Sequence, residues 1–291
     1  MKILLAMDFS PASETALFAV ACRPWPAGSS VQVLNVLETS GNTDEGDMEE
    51  LTRRSEALVQ GASERLQAER IVAEPSIVRA DPKEAIVGRA KRMGADFIFV
   101  GSHGKSGLAR ILLGSVAASV LRNAACSVEV VRAVPPPDRG MRILLGTDGS
   151  ECSRLAAQSI AQRPWPRDTE VRILSVVEIA LTTMQAAFEP PFVDAATLEG
   201  LRGSAMKRAQ NAIAEAGQVL AAANLKTNEE LSVLVDPVKE IMLDEAAQWG
   251  ADLIVVGSHG RTGVDRLLMG SVSEAVALHA PCSVEVIRHK C

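Results

Sequence analysis

The chain has 291 residues, 47% of them hydrophobic and 23% charged; this is the balance of a soluble globular protein, and at about 150 residues per domain the length suggests two domains. Its 30 basic and 36 acidic residues leave a net charge of −6, which argues against a nucleic-acid binder whose affinity comes from a basic face. With no tyrosine and three tryptophans the chain has little material for aromatic stacking platforms, and its five cysteines form neither a CxxC metal spacing nor an even disulfide set, so a reducing cytoplasm is the expected home.

The opening MKILLAM reads as a strand over 2–7 rather than an export signal. Asp8 and Glu14 interrupt it, no apolar run nears the roughly 18 residues of a membrane span, and the pattern recurs inside the chain as MRILLGT at 141–147. The periodicity then predicts helix 11–22, strand 31–37, helix 47–69, strand 76–79, helix 83–93, strand 96–100, helix 115–123 and strand 127–132. The segment AVPPPDRG follows at 133–140. Consecutive prolines offer a sheet no N–H groups and favour extended polyproline II, so 135–140 is expected to link a domain at 1–134 to a second at 141–291. The second copy repeats the strands at 142–147, 171–177, 231–235, 252–256 and 283–288.

The repetition is direct. KILLAMDFS at Lys2 matches RILLGTDGS at Arg142 and RPWP at Arg23 matches RPWP at Arg163, both at a shift of 140, whereas GADFIFVGSHG at Gly94 matches GADLIVVGSHG at Gly250 at a shift of 156. The second copy therefore carries about 16 extra residues (156 − 140), mostly between Ile179 and Leu231, containing FEPPF and then an Ala-rich stretch from Val193 to Ala223 that predicts an extended helix. The runs FIFV and LIVV are apolar on both strand faces. With strands and helices alternating, the expected fold class is α/β, as two tandem doubly wound, Rossmann-like parallel sheets of five strands each.

In such sheets ligands sit beyond the carboxyl ends of the strands, where the strand order reverses. The first strand ends in Asp8-Phe9-Ser10 and its counterpart in Asp148-Gly149-Ser150; the fourth ends in Gly101-Ser102-His103-Gly104 and Gly257-Ser258-His259-Gly260. After nine intervening residues come Gly114-Ser115 and Gly270-Ser271, each opening an apolar-periodic helix. Glycines let backbone N–H groups approach an anion, and a helix beginning at Gly-Ser presents unpaired N–H groups with a positive dipole end. Each exposed dipole contact contributes only ~0.3–1 kcal/mol, so several must converge to cradle a phosphate. Asp8 and Asp148 suit ribose hydroxyls, or act as N-caps and turn formers. Lys105 and Arg261 read equally as phosphate ligands and as solvated charges. His103 and His259 sit between loop glycines with no partnered acid or thiol in sequence, so they read as loop-shaping or solvent-facing groups; with Ser102 and Ser258 they lack the GxSxG elbow of a triad.

GSHGKSGLARILLGS and GSHGRTGVDRLLMGS fit the G-2x-G-9x-G-[S/T] signature of the universal stress proteins, and the D-x-S after the first strand, the Asp-Pro pair before the third helix and the cysteine before the last strand fit that family too. The chain thus resembles a tandem two-domain member. The resemblance implies strand order 3-2-1-4-5, ATP binding with or without Mg²⁺, dimerisation through the last strand, and a regulatory role in stress response with at most slow hydrolysis. Carried over by position, Asp8, Ser10, Asp148 and Ser150 would meet the nucleoside, and Val36 and Val176 would offer backbone groups to adenine. Gly101, Ser102, His103, Gly104, Lys105, Gly114, Ser115 and Val116 would hold ribose and phosphates in the first half. Gly257, Ser258, His259, Gly260, Arg261, Gly270, Ser271 and Val272 would do so in the second. No Walker loop, paired carboxylates or pyrophosphatase loop supports the alternative of an ATP-using enzyme; a ligand-free dimerisation scaffold is the third reading.

Two departures stand out. Ala80 and Val235 replace a glycine common before the Asp-Pro pair, and Glu129 and Glu285 interrupt otherwise apolar last strands. Each last strand alone would be an unpaired apolar edge, so the two are expected to pair antiparallel within the chain. Both glutamates are then expected on a solvated or pocket-facing side, because two carboxylates buried across the pair would repel. A homodimer of whole chains is allowed but not required, and no nucleic acid or membrane partner is expected.

Overall fold

The computed structural model describes the chain except residues 39–44, 104–112, 137–138, 179–194, 235–236, 261–268 and 290–291. The first half runs β1 (Lys2–Met7), α1 (Pro11–Cys22), β2 (Ser30–Leu37), α2 (Glu45–Ala68), β3 (Val72–Arg79), α3 (Pro82–Met93), β4 (Phe97–Gly101), α4 (Ser115–Asn123) and β5 (Ser127–Val131). The second half repeats it as β6 (Arg142–Gly146), α5 (Glu151–Ala161), β7 (Glu170–Glu178), α6 (Ala195–Ala222), β8 (Lys226–Leu234), α7 (Val238–Trp249), β9 (Leu253–Gly257), α8 (Ser271–His279) and β10 (Ser283–Ile287). Each half is a parallel sheet of order 3-2-1-4-5, and the two join in one ten-stranded sheet, β3-β2-β1-β4-β5-β10-β9-β6-β7-β8.

Strand alternation builds two cores. Ile3, Leu5 and Phe99 point to the face covered by α1, α2, α5 and α6, whereas Leu4, Ile98 and Val100 point to the face covered by the other helices. The GAD motif before β4 and β9 has a local cause: Gly94 and Gly250 close α3 and α7 in the left-handed conformation, at φ +64 and +69, returning N–H groups to the last turn. The third strands begin earlier than the sequence pattern predicted. Pro75 stands in mid-strand opposite Val33, and β3 tolerates it because it lies at the outer edge of the sheet, where an N–H facing away from the ladder is not needed.

β5 and β10 are the only antiparallel pair among the described strands, with Val130 opposite Val284, Glu129 opposite Glu285 and Val128 opposite Val286. The expectation that these glutamates face solvent or a pocket is wrong. Both are completely buried. Each carboxylate is held bidentately by an arginine of its own half: Arg23 Nη1 and Nη2 donate to Glu129 at 2.6 and 2.8 Å, and Arg163 Nη1 and Nη2 donate to Glu285 at 2.8 and 2.6 Å. The guanidinium groups also reach across the seam, Arg23 lying 5.4 Å from the ring of Trp165 and Arg163 4.8 Å from that of Phe97. Two like charges are thus buried face to face because two opposite charges are buried with them, each in charge-assisted hydrogen bonds. Burial pushes the Glu285 carboxyl above its ordinary range despite Arg163; burial works against the Arg23 guanidinium, yet Glu129 and Glu285 together hold its pKa above the usual value.

The seam has a second quasi-symmetric layer. Arg132 Nη2 donates to Ala277 O at 2.6 Å, in the last turn of α8, and Arg288 Nη2 donates to Leu121 O at 2.6 Å, in the last turn of α4. Each half thereby caps a helix C-terminus of the other with a cation, where the helix dipole favours one.

Candidate functional site

Strand order reverses between β1 and β4 in the first half and between β6 and β9 in the second, so the loops after these four strands converge beyond the sheet. Asp8 turns its carboxylate onto its own loop: Oδ1 accepts from the backbone N–H of Ser10 at 3.0 Å and from the Ser10 hydroxyl. Asp148 repeats this with Ser150 N–H at 2.9 Å. These are Asx-type turns. The N-caps are the serines, with Ser10 Oγ accepting from Ser13 N–H and Ser150 Oγ from Ser153 N–H. The Ser150 hydroxyl donates to the carbonyl of His259 at 3.3 Å, and Ser10 Oγ lies 3.3 Å from that of His103 with its proton shared towards Asp8, which brings the first-strand loop against the fourth-strand loop in each half.

Ser102 and Ser258 are 5% and 2% exposed, and each Oγ lies 2.9 Å from Nδ1 of the next residue, His103 or His259. Among the described residues no carboxylate meets either imidazole, and both Nε2 atoms are buried without a hydrogen-bond partner. Burial, reinforced by Arg288, holds the His259 pKa below the usual histidine range. A buried serine beside an imidazole that meets no carboxylate among the described residues does not form a nucleophilic triad.

Gly101 and Gly257 are glycines for packing. A Cβ at Gly101 would lie 2.6 Å from the backbone carbon of Ala12 and one at Gly257 2.6 Å from that of Cys152, because α1 and α5 press on these strand ends. Gly114 and Gly270 are the N-caps of α4 and α8, each with its N–H on the carbonyl of Ser102 or Ser258 at 2.8 Å and with no side chain capping the helix. Ser115 and Ser271 open those helices, exposed, and Val116 and Val272 follow, half-buried. Gly104, Lys105, Arg261, Val235 and Cys291 lie outside the described residues.

In the second half these pieces enclose a cavity of about 430 Å³, within the range of small-molecule sites. Asp148 lies on one wall, His259 and Gly260 on the next, and Gly270, Ser271 and Val272 at the α8 N-terminus. Val176 and its neighbours at the end of β7 form the floor towards the sheet. A Cβ on Gly260 would come within 2.9 Å of Asp148 Oδ2. The lining residues that escaped the sequence argument include Thr147, Met242 of α7, and Ala205 and Arg208 of α6. Helix residues far from any motif carry no glycine or acid signature, and only comparison of the two copies position by position could have singled them out. In the first half Val36 packs half-buried on the α3–α4 side of the core. A shallower groove there, lined by Arg53, Gln60 and Ile77, lies between α2 and β3, away from the convergent loops. No metal-binding cluster of His, Cys, Asp or Glu occurs among the described residues, and none of their helices is long and apolar enough to cross a membrane.

Comparison with known proteins agrees with this architecture. Over its whole length the chain superposes on a universal stress protein of Archaeoglobus fulgidus, with a TM-score of 0.66, 21% identity and coverage of 99% and 98% of the two chains. A putative universal stress protein of Pseudomonas aeruginosa gives a TM-score of 0.65 at 17% identity, covering 99% and 93%; at such identities the likeness concerns the fold. In sequence, a universal stress protein of Mycobacterium bovis is 35% identical over 192 residues, 64% of this chain and 59% of the relative. One from Mycolicibacterium smegmatis is 30% identical over 202 residues, covering 67% and 62%, so the matches span about three-fifths of these relatives' lengths. A model of the universal stress protein family matches twice, at residues 1–132 and 141–288. Two matches, one on each five-stranded half, leave one conclusion: this chain is a tandem two-domain member of the universal stress protein family.

Proposed function

We propose that the protein binds adenine nucleotide in its two domains, 1–134 and 141–291, taking ATP with or without Mg²⁺, and acts as a cytoplasmic stress-response regulator rather than a rapid ATPase. The observation that carries this reading is the cavity at the switch point of the second half. It brings an aspartate, an open glycine and the N-terminus of α8 to one space, the combination that suits ribose hydroxyls and a phosphate chain. Asp148, Ser150, Val176, Gly257 to Arg261 and Gly270 to Val272 are its proposed binding residues; Asp8, Ser10, Val36, Gly101 to Lys105 and Gly114 to Val116 are their counterparts. The buried serines and the lone imidazoles support binding over turnover.

The test is isothermal titration of the full chain with ATP, alongside mass spectrometry of any nucleotide released on denaturation. Wild type is expected to take up ATP, and Gly260→Glu to lose one site: its Cβ would crowd Asp148 Oδ2, and its carboxylate repels phosphate. A wild type that releases no nucleotide and binds no ATP, or a Gly260→Glu variant with unchanged stoichiometry, overturns the assignment.

A further inference from the structure

The two copies are not equal where the cavity lies. Val72 and Lys226 occupy the same register position, paired with Ser30 and Glu170, and the preceding helices close with the same bonds, Ile71 N–H to Leu66 O and Leu225 N–H to Leu220 O. Arg54 of α2 and Arg208 of α6 are therefore equivalent, each 18 residues before its strand residue (72 − 54 and 226 − 208). Their surroundings differ. Arg54 lies over the ring of Phe9 at 5.0 Å. In the second copy the position of Phe9 is taken by Gly149, and among the described residues no ring lies over the guanidinium of Arg208. Arg208 is exposed, lines the cavity with Asp148 and Gly260, and among the described residues has no ion pair or hydrogen bond.

The cavity walls change in the same direction. Gly146, Thr147 and Ala205 line it, where the first copy has Ala6, Met7 and Leu51. The first copy carries a larger side chain at each of these three positions, and the arginine that it stacks on phenylalanine lines the cavity in the second copy, with no hydrogen bond or ion pair to another described residue. A guanidinium fork matches the paired oxygens of a phosphate, and the α8 N-terminus at the other wall favours the same charge.

We infer that Arg208 is a specificity-determining residue of the second site: it contacts the phosphate groups of the bound nucleotide, which makes this site the tighter of the two and biases it towards phosphorylated over unphosphorylated ligand. This rests on the nucleotide reading above. The experiment titrates ATP, and separately adenosine, into the full-length wild type, Arg208→Gln and Arg54→Gln. Because a hydrogen bond to a charged group contributes about 1.5–3 kcal/mol, Arg208→Gln is expected to weaken ATP at the tight site about tenfold or more and to leave adenosine within about twofold. Arg54→Gln should leave the tight ATP site unchanged. Since Arg208 is exposed, a matching thermal midpoint will show that the fold is intact. ATP bound by Arg208→Gln as tightly as by wild type, equal losses for ATP and adenosine, or an Arg54→Gln defect as large as that of Arg208→Gln each overturn the role of Arg208. Wild type that binds neither ligand overturns instead the nucleotide reading on which it stands.

Discussion

Arg23, Glu129, Arg163 and Glu285 show how a local rule can mislead. Two carboxylates on facing strand positions repel, and taken alone that favours a solvated place for them. The four residues together carry no net charge, every carboxylate oxygen has an arginine donor, and the guanidinium faces rest on aromatic rings. Such a cluster is conditional on its completeness: removing one partner leaves a buried charge uncompensated, at a cost of about 3–5 kcal/mol. Arg163→Ala is accordingly expected to lower stability by that amount in chemical denaturation, whereas Arg163→Ala combined with Glu285→Leu recovers a substantial part of it. A single variant as stable as wild type would contradict the burial of Glu285. Both ingredients stood in the sequence, as the RPWP repeat and the acid in each SVEV, but only the strand register shows that they meet.

Among elements, α1 and α5 approach the ends of β4 and β9 closely. The glycines there look in sequence like ligand-approach glycines, and they begin the signature that identifies the family. Gly257 also lines the cavity, yet the space beside it is filled by the Cys152 backbone, which cannot give way as a flexible side chain does. Gly257→Ala should therefore cost on the order of 1–3 kcal/mol or more through forced displacement of α5, and Gly101→Ala the same at α1. Thermal unfolding checks this: midpoints unchanged in both variants would mean the helices are not seated as described. Gly260 behaves differently, since its added Cβ meets only the end of the Asp148 side chain. Alanine there should be tolerated for folding, while glutamate tests the site.

At the scale of the molecule, the seam joins two halves that each have their own 3-2-1-4-5 parallel sheet. It combines β5–β10 pairing, the buried four-residue cluster and the exchange of arginines that cap α4 and α8. Either half unfolding alone would expose the other's last strand and strand two buried charges. The full chain is thus expected to unfold in a single cooperative transition, with calorimetric and van't Hoff enthalpies in agreement. Two resolved transitions separated by more than a few degrees would show that the seam couples the halves weakly.

The duplicated pattern, the alternation of apolar strands with amphipathic helices and the glycine signatures were enough to establish the α/β class, the tandem arrangement and the family, because those properties depend on local periodicity and on short segments that carry their own geometry. The packing origin of Gly101 and Gly257, the burial of Glu129 and Glu285, and the contribution of α6 to the cavity were decided by the tertiary structure. Each depends on a residue more than a helix away in sequence: Ala12 against Gly101, Arg23 against Glu129, Arg208 against Asp148. A carboxylate's fate is set by the charges brought within a few ångströms of it, and a glycine's meaning by what stands where its side chain would be; neither is a property of the residue's neighbours along the chain.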